Sequence, residues 1–154
     1  MLKLNTIPLQ VINIEPGGIH LVVDVYLDKK KLKFVLDTGA SQSLIDKGLG
    51  YESMAIDNEK TEAIGFNSEK TEITFAAFKQ VKIGKITFPS FKAAVADMTN
   101  LKDVYKEYAG FEINGLLGCD FIVEYFNSIN IRQRKIFVNI SKLNTKALNT
   151  TNTK

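Results

Sequence analysis

Residues 34–46 read F-V-L-D-T-G-A-S-Q-S-L-I-D. An apolar run ends on a carboxylate, Asp37. Thr38, Gly39, Ala40 and Ser41 then turn the chain, and Ser43 to Ile45 resumes a short strand. Any fold for this chain must carry a buried-looking strand to an acid at its end and bend sharply there. Turn chemistry alone accounts for Asp and Gly at a strand end. The sharper explanation is that the acid does chemistry, and the rest of the chain decides between the two.

Most other segments read as strands. Leu9 to Ile14 alternates apolar and polar residues and is broken by Pro16-Gly17-Gly18. Ile19 to Leu27 is rich in Val and Ile, Asp28 to Lys31 is a polar turn, and Leu32 to Leu36 returns as a strand. This hairpin delivers Asp37 from its second arm. Asp46 to Asn58 reads as loop or one helical turn. Lys60 to Phe78 reads as a second hairpin with its tip near Gly65-Phe66-Asn67-Ser68. Its charges suit a projecting element. Val81 to Ala96 is expected to hold two strands around Gly84 and Pro89. The period then changes. Leu101, Val104, Tyr105 and Tyr108 fall at helical spacing, with Thr99 or Asn100 as cap and Gly110 as stop. Leu116-Leu117-Gly118 leads into a second short helix, Cys119 to Tyr125. Ser128 to Ile131 and Lys135 to Ile140 make a last strand pair. The expected fold is all-β with one or two short helices. Residues 1–140 form one domain, and 141–154 form a polar, disordered tail.

Several function classes fall away. His20 is the only histidine, which excludes a His-rich metal site and any nucleophile–histidine triad that does not use it. Cys119 is the only cysteine, so no internal disulfide forms, and a reducing compartment is expected. No apolar run is long enough to cross a membrane, and the first ten residues lack a secretory pattern. A cytoplasmic protein is expected. The formal charge is +3, and Lys142, Lys146 and Lys154 in the tail account for all of it. The body then lacks the basic surplus that a nucleic-acid reader carries. Lys29-Lys30-Lys31 reads as a solvated turn.

Peptide hydrolysis by carboxylates needs two of them, one ionised as base and one protonated as acid. Two carboxyls about 3 Å apart share one proton. The other aspartates are Asp24, Asp28, Asp46, Asp57, Asp97, Asp103 and Asp120, and none is followed by Thr-Gly or Ser-Gly. Either the two-carboxylate reading is wrong, or the second acid is Asp37 of another copy, related by a two-fold axis.

F-V-L-D-T-G-A-S resembles the active-site motif of the aspartic proteases, and the chain length fits their retropepsin-like, retroviral-type branch. Leu116-Leu117-Gly118 is similar to the hydrophobic-hydrophobic-Gly element that lies under the catalytic loop in that family. The segment G-L-L-G-C-D-F is similar to that of bacterial single-domain aspartyl-protease-like proteins. The resemblance implies a retropepsin-like half-barrel with a flap hairpin, acting as a homodimeric endopeptidase on an extended peptide or protein. It implies no metal and no cofactor. Asp37 would be the catalytic acid, one from each subunit. Thr38 would bond across the dyad, Gly39 would aim its N–H at the carboxylate, and Ala40 and Ser41 would complete the loop, with the Ser41 hydroxyl supporting Asp37. Ile64, Gly65 and Phe66 would lie near the flap tip. Retroviral members commonly carry an Arg after the late Gly that helps tie the dimer. Cys119 stands there, so the dimer contacts must differ. The alternative is a peptide-binding module that keeps the fold without turnover.

Overall fold

A computed structural model describes residues 4–14, 18–51, 57–64 and 70–143. The strands are β1 (Leu4–Pro8), β2 (Gln10–Ile14), β3 (Gly18–Leu27), β4 (Lys30–Leu36), β5 (Leu44–Asp46), β6 (Asp57–Ile64), β7 (Lys70–Phe78), β8 (Val81–Ile83), β9 (Ile86–Phe88), β10 (Phe91–Ala96), β11 (Gly115–Leu117), β12 (Phe126–Asn130) and β13 (Lys135–Asn139). Helix α1 (Thr99–Ala109) precedes β11 and α2 (Cys119–Tyr125) follows it. Lys47–Leu49 makes a single 3-10 turn. The fold is mostly β, as the strand patterning implies.

The large sheet runs β6-β7-β10-β5-β11-β4-β3-β8-β9, with β2 added against β3, and it curls as a half-barrel. A smaller sheet runs β1-β13-β12. The β3–β4 hairpin turns on Asp28 and Lys29, at φ 47° and 66°. Positive φ at both central residues gives a tight turn whose twist matches the flanking strands. It sets the register that brings Asp37 to the end of β4. Strand β11 lies between β4 and β5, parallel to the first and antiparallel to the second.

The main core gathers Phe34, Phe78, Phe88, Phe91, Phe121 and Tyr125 with aliphatic residues from both sheets. Phe88 meets Phe121 edge-on at 5.1 Å, and Phe121 meets Tyr125 at 4.7 Å. These rings fasten α2 to the sheet. A second core of Ile14, Val22, Val35, Met98, Tyr105 and Ile113 lies under α1.

Four expectations change. Val81 to Ala96 holds three strands, because Gly84, at φ 60°, turns β8 into β9 before Pro89 is reached. The chain also forms β1 ahead of the expected first strand, and β1 pairs with β13 of the same chain. Helix α1 buries Tyr105 but leaves Val104 and Tyr108 exposed, because only one flank is covered. Residues 140–143 form a helical turn in which Leu143 is buried, so packing continues past Ser141. The rest of the expected tail lies outside the described residues.

Candidate active site

Strand β4 ends at Leu36, and Asp37 is the next residue, half-buried. Its backbone N–H donates to the Leu117 carbonyl at 3.0 Å, continuing the β4–β11 pairing into the loop. Gly39 N–H donates to Asp37 Oδ1 at 2.9 Å. Ala40 N–H donates to the Asp37 carbonyl at 3.2 Å and closes the turn. The loop therefore holds its acid by its own backbone. One carboxylate oxygen, Oδ1, is held in this way.

The floor of the loop is Leu116-Leu117-Gly118. Leu117 pairs with Leu36 and is fully buried. Gly118 is the N-cap residue of α2. A Cβ there would stand 2.8 Å from the Ala40 carbonyl oxygen and 2.8 Å from the Gln42 carbonyl carbon. Only a glycine lets the floor approach the backbone of the loop this closely. Cys119 N–H then donates to the Ala40 carbonyl at 2.8 Å, and its Sγ donates to the Thr38 carbonyl at 3.1 Å. Cys119 thus holds the turn on both sides of Gly39.

The hydroxyl built into this floor is Ser43. It is fully buried, accepts from Gly118 N–H at 3.0 Å and donates to Asp120 Oδ1 at 2.7 Å. Ser43 N–H also donates to Asp120 Oδ1, at 3.0 Å, and Gln42 Nε2 donates to Asp120 Oδ2 at 2.9 Å. Ser41 is exposed and, among the described residues, makes no hydrogen bond to Asp37. Neither Ser43 nor Asp120 was singled out from the sequence. The available signal was Asp120 in the first turn of α2, two residues past the glycine that touches the loop.

Thr38 is exposed beside Asp37. Ile64 closes β6, opposite Lys70 of β7, so the expected second hairpin exists. Gly65 and Phe66 lie outside the described residues.

Asp46, the last residue of β5, is buried. It accepts from Met98 N–H at 3.1 Å and from Lys102 Nζ at 3.0 Å. Hydrogen bonding to Asp46 holds the Lys102 ammonium above its usual range, against the opposing effect of burial. Asn114 joins the same region. Its N–H donates to the Lys33 carbonyl at 2.8 Å, its Oδ1 accepts from Lys33 N–H at 2.9 Å, and its carbonyl accepts from Asp46 N–H at 2.9 Å. Strands β4 and β5, helix α1 and the residue that leads into β11 are therefore tied to one another. Among the described residues, no group of three or more His, Cys, Asp or Glu gathers to hold a metal.

Residues 23–121, from within β3 to the first turn of α2, match the family model described as aspartyl protease. The chain belongs to the aspartyl protease family. Among solved structures it is similar to a retropepsin-like aspartic protease from Rickettsia conorii. That match has 20% identity and a TM-score of 0.54, over 90% of this chain and 94% of the other. It is also similar to the retroviral protease-like domain of Ddi1 from Leishmania major, at 14% identity and a TM-score of 0.52, over 77% of this chain and 87% of the other. These likenesses give the fold, which is retropepsin-like. No curated protein matches the chain. The matched span of the family model contains the Asp37 loop, the β6–β7 hairpin and the Leu116–Gly118 floor.

Proposed function

We propose that the protein is an aspartic endopeptidase that acts as a homodimer, with Asp37 of each copy facing the other across a two-fold axis. The observation that carries this reading is the Asp37 turn, a half-buried carboxylate held by Gly39 N–H at 2.9 Å on a floor fixed by β11 and α2. The sequence supplies one such turn per chain. Two copies supply the pair that the chemistry needs.

In this mechanism a water lies between the two carboxylates. The ionised member takes its proton as the oxygen attacks the peptide carbonyl. The protonated member polarises that carbonyl, and its proton passes to the leaving nitrogen. Thr38 reaches across the dyad. The β6–β7 hairpin acts as the flap over an extended peptide held by strand-like hydrogen bonds. Two adjacent carboxylates that share one proton favour an acidic to mildly acidic optimum.

The test is cleavage of a diverse peptide pool from pH 4 to 7 by wild type and Asp37→Asn at matched concentrations. Cleavage by the wild type alone is the expected result. Equal cleavage by both would remove Asp37 from the mechanism. Binding of extended peptides without cleavage by either would favour a peptide-binding module.

A further inference from the structure

The floor of the catalytic turn contains a group that the two-carboxylate mechanism does not use. Four hydrogen bonds join loop and floor through the Asp120 carboxylate and the Ser43 hydroxyl. Ser43 N–H and Oγ–H both donate to Asp120 Oδ1, at 3.0 and 2.7 Å, and Gln42 Nε2 donates to Oδ2 at 2.9 Å. The Ser43 oxygen in turn accepts Gly118 N–H at 3.0 Å.

The direction of each bond matters. Ser43 Oγ accepts from Gly118 N–H, so its own hydrogen is the one it gives to Asp120 Oδ1. A carboxylate has acceptor sites for all three donors and offers no donor that would compete. The Ser43 side is fully buried, and the Gln42 side opens to solvent where Asp120 is exposed. Ser43 leads directly into β5, which pairs with β11, and β11 pairs with β4. Asp120 belongs to α2, which the aromatic core anchors through Phe121. The loop that carries Asp37 is thereby fastened at its far end to a rigid element. Cys119 N–H on the Ala40 carbonyl fastens its middle.

We infer that Asp120, acting through Ser43, is a positioning residue for Asp37. It holds the catalytic turn at the height that lets two copies bring their acids together. It touches neither the attacking water nor the substrate. The inference rests on the aspartic-peptidase reading above.

The experiment compares wild type with Asp120→Ala, Asp120→Asn, Ser43→Ala and the Asp120→Ala/Ser43→Ala double variant. Peptide cleavage is normalised to sites titrated with a non-cleavable, hydroxyl-bearing peptide isostere, so that unfolded protein does not count. Asp120→Ala and Ser43→Ala are each expected to lower kcat about 10-fold with KM little changed. That is short of the roughly 10²-fold that a full ångström of misplacement can cost. The double variant is expected to be no worse than the worse single variant, because both remove one connection. Asp120→Asn keeps the acceptor that Ser43 needs, and Gln42 can turn its amide to suit, so it is expected to recover most of the lost kcat. The inference is overturned by a kcat per titrated site that stays unchanged while only thermal stability falls. It is also overturned if the two single effects multiply in the double variant. If the wild type cleaves nothing, the peptidase reading fails separately. The positioning role is then read from hydrogen exchange at the Gly39 and Ala40 amides. Faster exchange in Asp120→Ala but not in Asp120→Asn supports it, and equal exchange in all variants overturns it.

Discussion

A methyl group on Gly118 would meet the Ala40 carbonyl oxygen at 2.8 Å, and one on Gly115 would meet the Leu44 carbonyl oxygen and the Phe34 ring at 2.5 Å. Neither glycine is among those with positive φ, so both are present for space rather than for backbone freedom. The obstacle at Gly118 is the backbone of the catalytic loop, which cannot swing aside as a side chain could. Gly118→Ala is expected to destabilise by about 1–3 kcal/mol, the usual cost of overpacking. It is also expected to lose more activity than its stability explains, because the displaced atoms belong to the Asp37 turn. Urea denaturation and peptide cleavage on the same preparation check both parts. Tyr105 presents the opposite case. Its ring is fully buried, edge-on to His20 at 5.3 Å, and among the described residues its hydroxyl has no hydrogen-bond partner. Burial pushes its pKa up to about 12. A buried hydroxyl without a partner costs about 1–3 kcal/mol. Tyr105→Phe is therefore expected to raise stability at pH 7 by roughly 1 kcal/mol. The pH dependence has a defined sign. The folded state keeps the phenol protonated after the unfolded state has lost its proton, so stability falls between pH 10 and about 12. The phenylalanine variant lacks that alkaline loss, and denaturation at pH 7 and 11 separates the two.

Helix α1 shows how a short element is held where little apolar surface covers it. It buries Tyr105 and little else, while Val104 and Tyr108 remain exposed. Two carboxylates compensate at its start. Asp97 Oδ1 accepts from Thr99 Oγ1 and Thr99 N–H, and with Lys47 these partners hold its pKa down to about 2. Asp46 holds Met98 N–H and Lys102 together. Lys102→Met is expected to cost about 2 kcal/mol, the scale of a hydrogen bond to a charged group, because it strips a partner from a buried carboxylate. The Lys102 pKa is raised in the fold, so its contribution is full below the unfolded lysine value of 10.5 and fades as pH rises beyond it. Tyr105 titrates in the same range, so the comparison belongs in a Tyr105→Phe background. The Asp97 contribution behaves oppositely. It is present above 3.8 and is lost as pH falls toward about 2. At this scale the sequence was informative wherever the signal was local. The Asp37 turn, α2 beginning after Gly118, and Gly110 ending α1 each depend on residues next to one another. The Ser43–Asp120 bond joins residues 77 apart. Ser41 and Ser43 look alike as residue types, and only the path of the turn decides which hydroxyl is buried. Helical spacing gave the direction of the α1 apolar face, but not how much of it β2 would cover.

For the whole molecule, the pairing of β1 with β13 inside one chain bears on how two copies meet. The first strand is already satisfied along one edge by its own chain, and Cys119 is engaged with its own Thr38 carbonyl. A dimer that brings two Asp37 turns together must therefore form between folded units, and such units can exchange partners without unfolding. This gives a quantitative test of the proposed shared site. Asp37→Asn removes one carboxylate from every dimer it enters, and the acid–base pair needs both. Mixed with an equal amount of wild type and allowed to re-equilibrate, random pairing leaves about one quarter of the dimers with two Asp37 side chains. Activity per total protein is expected to fall to that fraction. Independent monomeric sites would leave half. At low total concentration the wild type alone should also lose specific activity as dimers dissociate, because each half-site is incomplete. A mixture that retains half its activity, at a specific activity independent of dilution, would place the whole reaction in one chain. The second acid would then have to come from one of the seven other aspartates or from a glutamate.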